Sequence, residues 1–462
     1  MADQSTSQIL AEFAIDSDLS AVPADVREVA RKTLLDTFAC IIYGQTTTPG
    51  EIMKESAPVL GGSGPCSVAG LPDGFSPVAA ALANGTMAHS FEMDDRNTES
   101  MFHASSSVVG AAMAAAELRQ RNGADLLRAF IVGHEVASRV ANAVIPESYE
   151  YGWHSQGWHP TFGAAAAASI LLGSNAEQTT NAFGLAATSA GGLIECAFSS
   201  DAKPFHAGKA AMAGVVAAQV ASLGYTGGIN ALDGSDRARG YFALLAEQPH
   251  TAEAMATLGE EWKVASRNGL KPHACAGDMH PGIDGVLKIM DAEQLSYTDV
   301  QHVEIHAFRI VPSHFNIPHP TAKIEALMSY QHAIAAALYF HRAGPREYMP
   351  DAIGNPQVAA LRDIVSLHID PEIDARFPKY YGARIVLRTS RGDFTDTEVQ
   401  PLGDPEHPMS QADVERKTHD LLDELVGAGT ADGLIEAAAD VEQLSDVSAF
   451  TRALRSPITA QN

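Results

Sequence analysis

The chain has 462 residues, with 31 Lys and Arg against 56 Asp and Glu and a formal net charge of -25. At 48.8 kDa and a pI near 5.0 it is long enough for two domains, and its charge excludes nucleic acid and anionic membranes as expected partners, since both are bound by clustered basic side chains. Cys40, Cys66, Cys196 and Cys275 are far apart and form no C-x-x-C pair, which argues against a zinc ribbon or ferredoxin-like cluster and leaves ordinary thiols.

The N-terminal MADQSTSQILAEF has neither a basic n-region nor a long apolar h-region, so no secretory signal is expected and a cytoplasmic location is. DVREVARKTLLDTFACIIYG follows. Its apolar positions Val26, Val29, Ala30, Leu34, Phe38 and Ile41 share one helix face, with Gly44 as the stop. Alanine-rich helices are expected at 105–118, 124–144, 161–173, 178–190 and 207–223, where small residues let helices pack closely. The run AGKAAMAGVVAAQVASLGY contains Lys209 and Gln219 and reads as a buried helix, not a membrane span.

Near residue 270 the texture changes. HVEIHAFRIV (302–311), DIVSLHID (363–370) and ARIVLRT (383–389) alternate apolar and polar residues and predict strands. Ser390-Arg391-Gly392-Asp393 predicts a turn into FTDTEVQ, hence a hairpin. TAKIEALMSYQHAIAAALYF between them predicts a helix, and Ser410 with Asp413 predicts a capping box opening a further helical stretch. The closing SPITAQN is expected to fray. The expected fold is therefore mostly α: a large all-helical domain (1–267 and 404–462) with an inserted smaller α/β domain (268–403).

Three places share one grammar: a cation or titratable base, then proline, then a helix start. They are His159-Pro160, Lys203-Pro204 and Lys271-Pro272. A residue before proline is held extended, and the helix entrance behind it offers free N–H groups and partial positive charge. Converging, such entrances would gather a polyanion site inside an acidic protein. His103 precedes ASSSVVGAAMAAAEL, whose serines are expected N-caps. A helix N-terminus also disfavours imidazolium, so His159 is expected to be a neutral ring able to accept a proton.

NGTMAHSFEMDDRNTESMFHASSS (84–107) is the densest polar segment. As a helix it would put His89, Glu92 and Arg96 on one face with Asp95 nearby; the plainer alternative is a charged loop at a helix end. Asp94-Asp95 followed by Glu99 superficially matches the acidic magnesium motif of helical terpene synthases, but no second metal motif is present and aromatic residues are only 7% of the chain. A catalytic metal on His89, Glu92 or Asp94 lacks any H-E-x-x-H support. No metal and no cofactor are expected.

Together LLDTFACIIYG, ANGTMAHSFEMDD, GWHPT, AKPFHAG, GLKPHAC and LGDPEHPMSQADVERK resemble the MmgE/PrpD family of 2-methylcitrate dehydratase, cis-aconitate decarboxylase and iminodisuccinate epimerase. The resemblance spans nearly the whole chain and rests on the motifs in combination. It implies a large helical domain with an α/β lid, a homodimer, and metal-free removal of a proton α to a carboxylate of a small di- or tricarboxylate. It further implies catalytic roles for His103, His159, Lys203 and Lys271, the histidines as base and acid and the lysines as carboxylate clamps. Glu92, Asp94, Arg96 and His206 would contact substrate.

The sequence departs from the family where L-D-F-D-D reads F-E-M-D-D, so that Glu92 replaces the first aspartate, and where Arg96 takes the place of a threonine. A lyase is the leading expectation and an epimerase the alternative, since it needs the same two acid–base groups. A non-catalytic carboxylate-binding protein would account for the cations but not for two histidines at helix entrances.

Overall fold

A computed structural model describes residues 4–377, 380–398 and 400–458. The chain is mostly helical. Two units are distinguished: one comprises the chain through Ser90, Asp94–Asn268 and Ser410 onward, and the other Phe91–Met93 with Gly269–Met409.

The helices longer than ten residues are numbered here in chain order. In the first unit they are α1 (Thr6–Asp16), α2 (Ala24–Gly44), α3 (Thr48–Gly61), α4 (Pro77–Ala88), α5 (Ala104–Arg119), α6 (Gly123–Asn142), α7 (Pro160–Leu172), α8 (Ala176–Ser189), α9 (Ala202–Ser222), α12 (Gln411–Val426) and α13 (Ala428–Ala439). Those of the second are α10 (His280–Glu293) and α11 (Tyr330–Phe340). The alanine-rich segments are thus helices α5 to α9, as their composition predicts. Ser410 caps α12 with its hydroxyl on the Asp413 N–H, and Asp413 returns the bond.

Small residues in these helices have a packing reason. Every residue of α7 from Pro160 to Leu171 is buried, with Thr161 and Ser169 its only polar side chains, and alanine loses no rotamer freedom there. A Cβ on Gly163 would lie 2.4 Å from the Gly133 carbonyl oxygen, and one on Gly133 would lie 2.8 Å from that of Gly163. Helices α6 and α7 therefore cross backbone to backbone. Gly208 of α9 meets α4 in the same way, its Cβ position 2.2 Å from the Leu82 carbonyl oxygen. These crossings fix the end of α4 and the starts of α5 and α9, where the polar residues gather.

The second unit carries a four-stranded sheet: β1 (Val300–Ala307), β2 (Val365–Ile369), β3 (Ala383–Thr389) and β4 (Gly392–Glu398), in spatial order β4-β3-β1-β2. β1 and β2 are parallel, whereas β3 is antiparallel to both β1 and β4. The hairpin stands where the turn signal places it, with Thr389 opposite Gly392. The expected helix over TAKIEALMSYQHAIAAALYF is broken in two, Lys323–Leu327 and α11, because the Ser329 hydroxyl accepts the His332 N–H and starts α11 afresh. Residues 459–462 of the expected frayed tail and Val399 of FTDTEVQ lie outside the described residues. Among the described residues no helix is long and apolar enough to cross a membrane.

Candidate active site

Helix α4 stops at Ala88, so of the two readings of this segment the helical face of His89, Glu92 and Arg96 does not form and the charged loop at a helix end does. The segment runs instead as an irregular loop, with Glu92 at φ 61°. This loop brings three side chains together. His89 Nδ1 lies 2.8 Å from Asp94 Oδ2, and the other oxygen, Oδ1, lies 3.6 Å from His103 Nδ1. His103 Nδ1 also meets the Asp95 carbonyl oxygen at 2.5 Å. A carbonyl only accepts, so that proton sits on Nδ1 and the lone pair of His103 sits on Nε2.

His103 opens α5, but none of the expected serine caps acts as its N-cap side chain. Ser105 Oγ donates to Asp95 Oδ2 at 2.6 Å, and Ser106 Oγ donates to the His103 carbonyl. Gln156 holds the helix start: its Oε1 accepts the His103 N–H at 2.8 Å, while its Nε2 donates to Ser106 and Ser107 at 3.0 and 3.1 Å. Burial and the neighbouring Asp94 push the Asp95 carboxyl up to about 7. Beside it, His134 is drawn down to about 4 by burial.

Around the start of α9 lies a second group. His154 and His206 share an Nδ1···Nδ1 hydrogen bond of 2.8 Å. Burial draws His154 well below its ordinary value, with Lys203, His206, His89 and His103 adding repulsion. His206 is drawn down to about 4, by burial first and then Lys209 and His89. His103, Lys203 and His206 are thus all within electrostatic reach of His154. Lys203 is not in a loop before the helix; it lies in the first turn of α9, which begins at Ala202. Lys209 donates to the carbonyls of Gly157, Ser189 and Gly191 and so pins the loop after α8.

His159 differs from its expected geometry. A short helix, Ser155–Trp158, runs into α7, and His159 at the junction is helical, with φ -72° and ψ -41°. It is not extended, and its ring is buried. Its Nδ1 lies 3.0 Å from the Tyr241 hydroxyl. Burial alone draws it down to about 3, so its neutrality comes from desolvation and not from the helix end.

In the second unit Lys271 Nζ lies 3.1 Å from Glu92 Oε2, with both side chains buried. The helix expected after Lys271-Pro272 does not begin there; α10 begins at His280. Arg96 is buried in the two-residue strand Arg96–Asn97 of the first unit. Burial pushes the Cys275 thiol up to about 12, so it is a thiol and no nucleophile.

The MmgE/PrpD N-terminal domain matches residues 8–253, and the MmgE/PrpD C-terminal domain matches residues 273–443. The chain belongs to the MmgE/PrpD family. It is 29% identical over 463 residues to the cis-aconitate decarboxylase-like protein oryM of Aspergillus oryzae, covering 93% of each chain. To the cis-aconitate decarboxylase of Homo sapiens it is 28% identical over 450 residues, covering 93% of this chain and 90% of that one. To the enzyme of that name from Aspergillus terreus it is 25% identical over 461 residues, covering 95% and 93%.

Within this MmgE/PrpD chain, sequence reasoning misses Gln156, Tyr241 and His154. Gln156 and His154 lie in the same GWHSQGWHP stretch as His159, a density of polar residues that could have flagged them. Nothing local marks Tyr241. His89, Asp94 and His103 each present one ligand atom within 4.8 Å of the others, a spacing three ligands of a cation also take. The Nδ1 atoms that face Asp94 are already engaged in the hydrogen bonds described.

Proposed function

We propose that this MmgE/PrpD enzyme passes through a carbanion α to a carboxylate of a small di- or tricarboxylate, without a metal or other cofactor, and acts as a lyase. In the 2-methylcitrate type a base removes the α-proton and water leaves, and in the cis-aconitate type loss of CO2 leaves the carbanion, which then takes a proton from the same acid–base group. The observation that carries this reading is the setting of His103. Its Nδ1 proton is held by the Asp95 carbonyl and faces the Asp94 carboxylate, which leaves Nε2 as an oriented base whose imidazolium is stabilised once the proton is taken.

His159 then has the complementary role. A neutral Tyr241 donating to Nδ1 leaves an N–H on Nε2, and a ring this hard to protonate serves as a hydrogen-bond donor to developing negative charge, not as a base. Lys203 holds a substrate carboxylate beside His206, and Lys271 is assigned the same task with Glu92 as the carboxylate it shares. Asp94 orients the base. Arg96 is assigned to a substrate arm on the resemblance alone. The buried Glu92–Lys271 pair also favours a second reading, an epimerase of a dicarboxylate, because an internal carboxylate takes the place of one that a tricarboxylate would bring.

Proton NMR in D2O with a panel of di- and tricarboxylates tests both readings. Loss of the α-proton signal with a new olefinic product, abolished in His103→Gln, supports the lyase. Deuterated, saturated substrate supports the epimerase, and binding without exchange by any member overturns both. A homodimer in the cytoplasm is part of the proposal; light scattering at about one chain's mass overturns the first half.

A further inference from the structure

Lys209 stands one turn beyond His206 on α9 and has no part in the reaction as proposed. Its Nζ donates to the carbonyl oxygens of Gly157, Ser189 and Gly191 at 3.0, 3.1 and 2.6 Å. An ammonium has three protons, one for each. Among the described residues no carboxylate is paired with it, so carbonyl dipoles are what hold this cation. Burial draws its pKa down to about 8, which leaves it mostly charged at neutral pH.

The three carbonyls come from two stretches. Ser189 ends α8, where a helix leaves its last carbonyls without internal partners, and Gly191 follows it. Gly157 belongs to the short helix Ser155–Trp158, two residues before His159. Backbone groups join the same stretches. The Gly191 N–H donates to the Gly157 carbonyl at 3.0 Å, and the Gly192 carbonyl accepts the His154 N–H at 3.1 Å and Trp158 Nε1–H at 3.0 Å. The contact leaves no room for side chains: a Cβ on Gly157 would lie 2.3 Å from the Gly191 carbonyl oxygen, and one on Gly192 would lie 3.3 Å from the His206 ring. Gly191-Gly192 is thus wedged between that ring and the turn that carries His154 and His159.

We propose that Lys209 is a positioning residue: its ammonium draws the three carbonyls together and so keeps Gly191-Gly192 in place, as the wall behind the His206 ring and the brace of the turn before His159. The inference rests on His206 and His159 serving the proposed reaction. A water in place of the ammonium has only two protons for three acceptors and no charge, so the carbonyls would part. The His206 ring would lose its wall, and with it the geometry of its 2.8 Å bond to His154 Nδ1. The Lys209 charge also helps keep His206 neutral, and that bond needs a neutral ring on its accepting side. His159 would still have Tyr241 on its Nδ1, so the larger effect falls on the substrate carboxylate held at His206.

The test uses the full chain with Lys209→Ala, Lys209→Met and Lys209→Arg. Lys209→Ala and Lys209→Met are expected to raise KM about 10- to 100-fold with kcat changed only a few-fold, and Lys209→Arg to raise it less. Propylammonium, the part of the side chain that Lys209→Ala removes, is expected to bring KM back toward the wild-type value. Tetramethylammonium, with the same charge and no N–H, is expected to leave it raised. In NMR spectra of the ligand-free protein the His206 ring signals should move in Lys209→Ala and return with propylammonium. That readout needs no turnover: if no polycarboxylate reacts, the proposed reaction fails while the spectra still decide the role of Lys209. His206 signals unmoved in folded Lys209→Ala and Lys209→Met, an unchanged KM, or equal rescue by the two amines overturns the inference.

Discussion

Lys271 and Glu92 are 1% and 3% exposed, and their 3.1 Å ion pair helps to hold both charges in that environment. Taking one away strands a buried charge, which costs about 3–5 kcal/mol, whereas neutralising both leaves far less to desolvate. Lys271→Met is therefore expected to lower unfolding free energy by about 3 kcal/mol, and Lys271→Met with Glu92→Gln to recover most of the loss. Denaturant melts of the two single variants and the double one measure the coupling. Tyr241 gives a second prediction at this scale. Tyr241→Phe removes the partner of His159 Nδ1 and frees the ring to take the other tautomer. The fold should be kept, and kcat should fall about 10-fold with KM little changed; an unchanged kcat would remove His159 from the reaction.

At the scale of elements the glycines of the crossed helices decide where functional side chains stand. A methyl on Gly208 would lie 2.1 Å from Thr86 Oγ1 and 2.2 Å from the Leu82 carbonyl oxygen, and backbone cannot step aside as a side chain can. Gly208→Ala is expected to cost about 1–3 kcal/mol and to displace His206 two residues away, so that KM rises even where the protein remains folded. Thermal melts and kinetics on one preparation check both parts. These helices were legible in the sequence because small residues in long runs leave few other ways to be buried. Strands β1 and β3 were legible from alternation, since one face of each is covered; β2 runs instead from buried Val365 to exposed Ile369, and Ile310-Val311 of the expected first strand open a short helix. What failed was local and three-dimensional. The spacing of the polar segment after α4 left helix and loop both open, and the loop wins because its side chains bond to one another and to the backbone of their own loop, which competes with a helix. His159 looked extended because of Pro160, yet the preceding helical turn overrides that preference. His103 was legible as a candidate, whereas Gln156 and Tyr241, 53 and 138 positions further on, come to the site only through tertiary packing.

For the whole molecule the buried histidines set a pH dependence of stability. His134, His206 and His332 are drawn down to about 4 and His159 to about 3, chiefly by burial. Each has a folded pKa below its unfolded value near 6.5, so between those values the unfolded chain binds the extra protons. Stability from these groups is present above about pH 6.5 and is lost as pH falls toward 4. Asp95 works the other way: its carboxyl is raised to about 7, so its contribution is present at low pH and lost as pH rises through 7. Glu117 and Glu135, also raised by burial, share that sign. Several histidines outweigh these carboxyls between pH 6 and 5, and one net proton corresponds to about 1.4 kcal/mol per pH unit. Unfolding free energy should therefore fall by at least about 1 kcal/mol from pH 6 to pH 5, with net proton uptake on unfolding. Urea melts across that interval check the sign. If stability instead rose on acidification, the buried carboxyls would dominate, and the neutral state of His159 on which its donor role depends would lose its support.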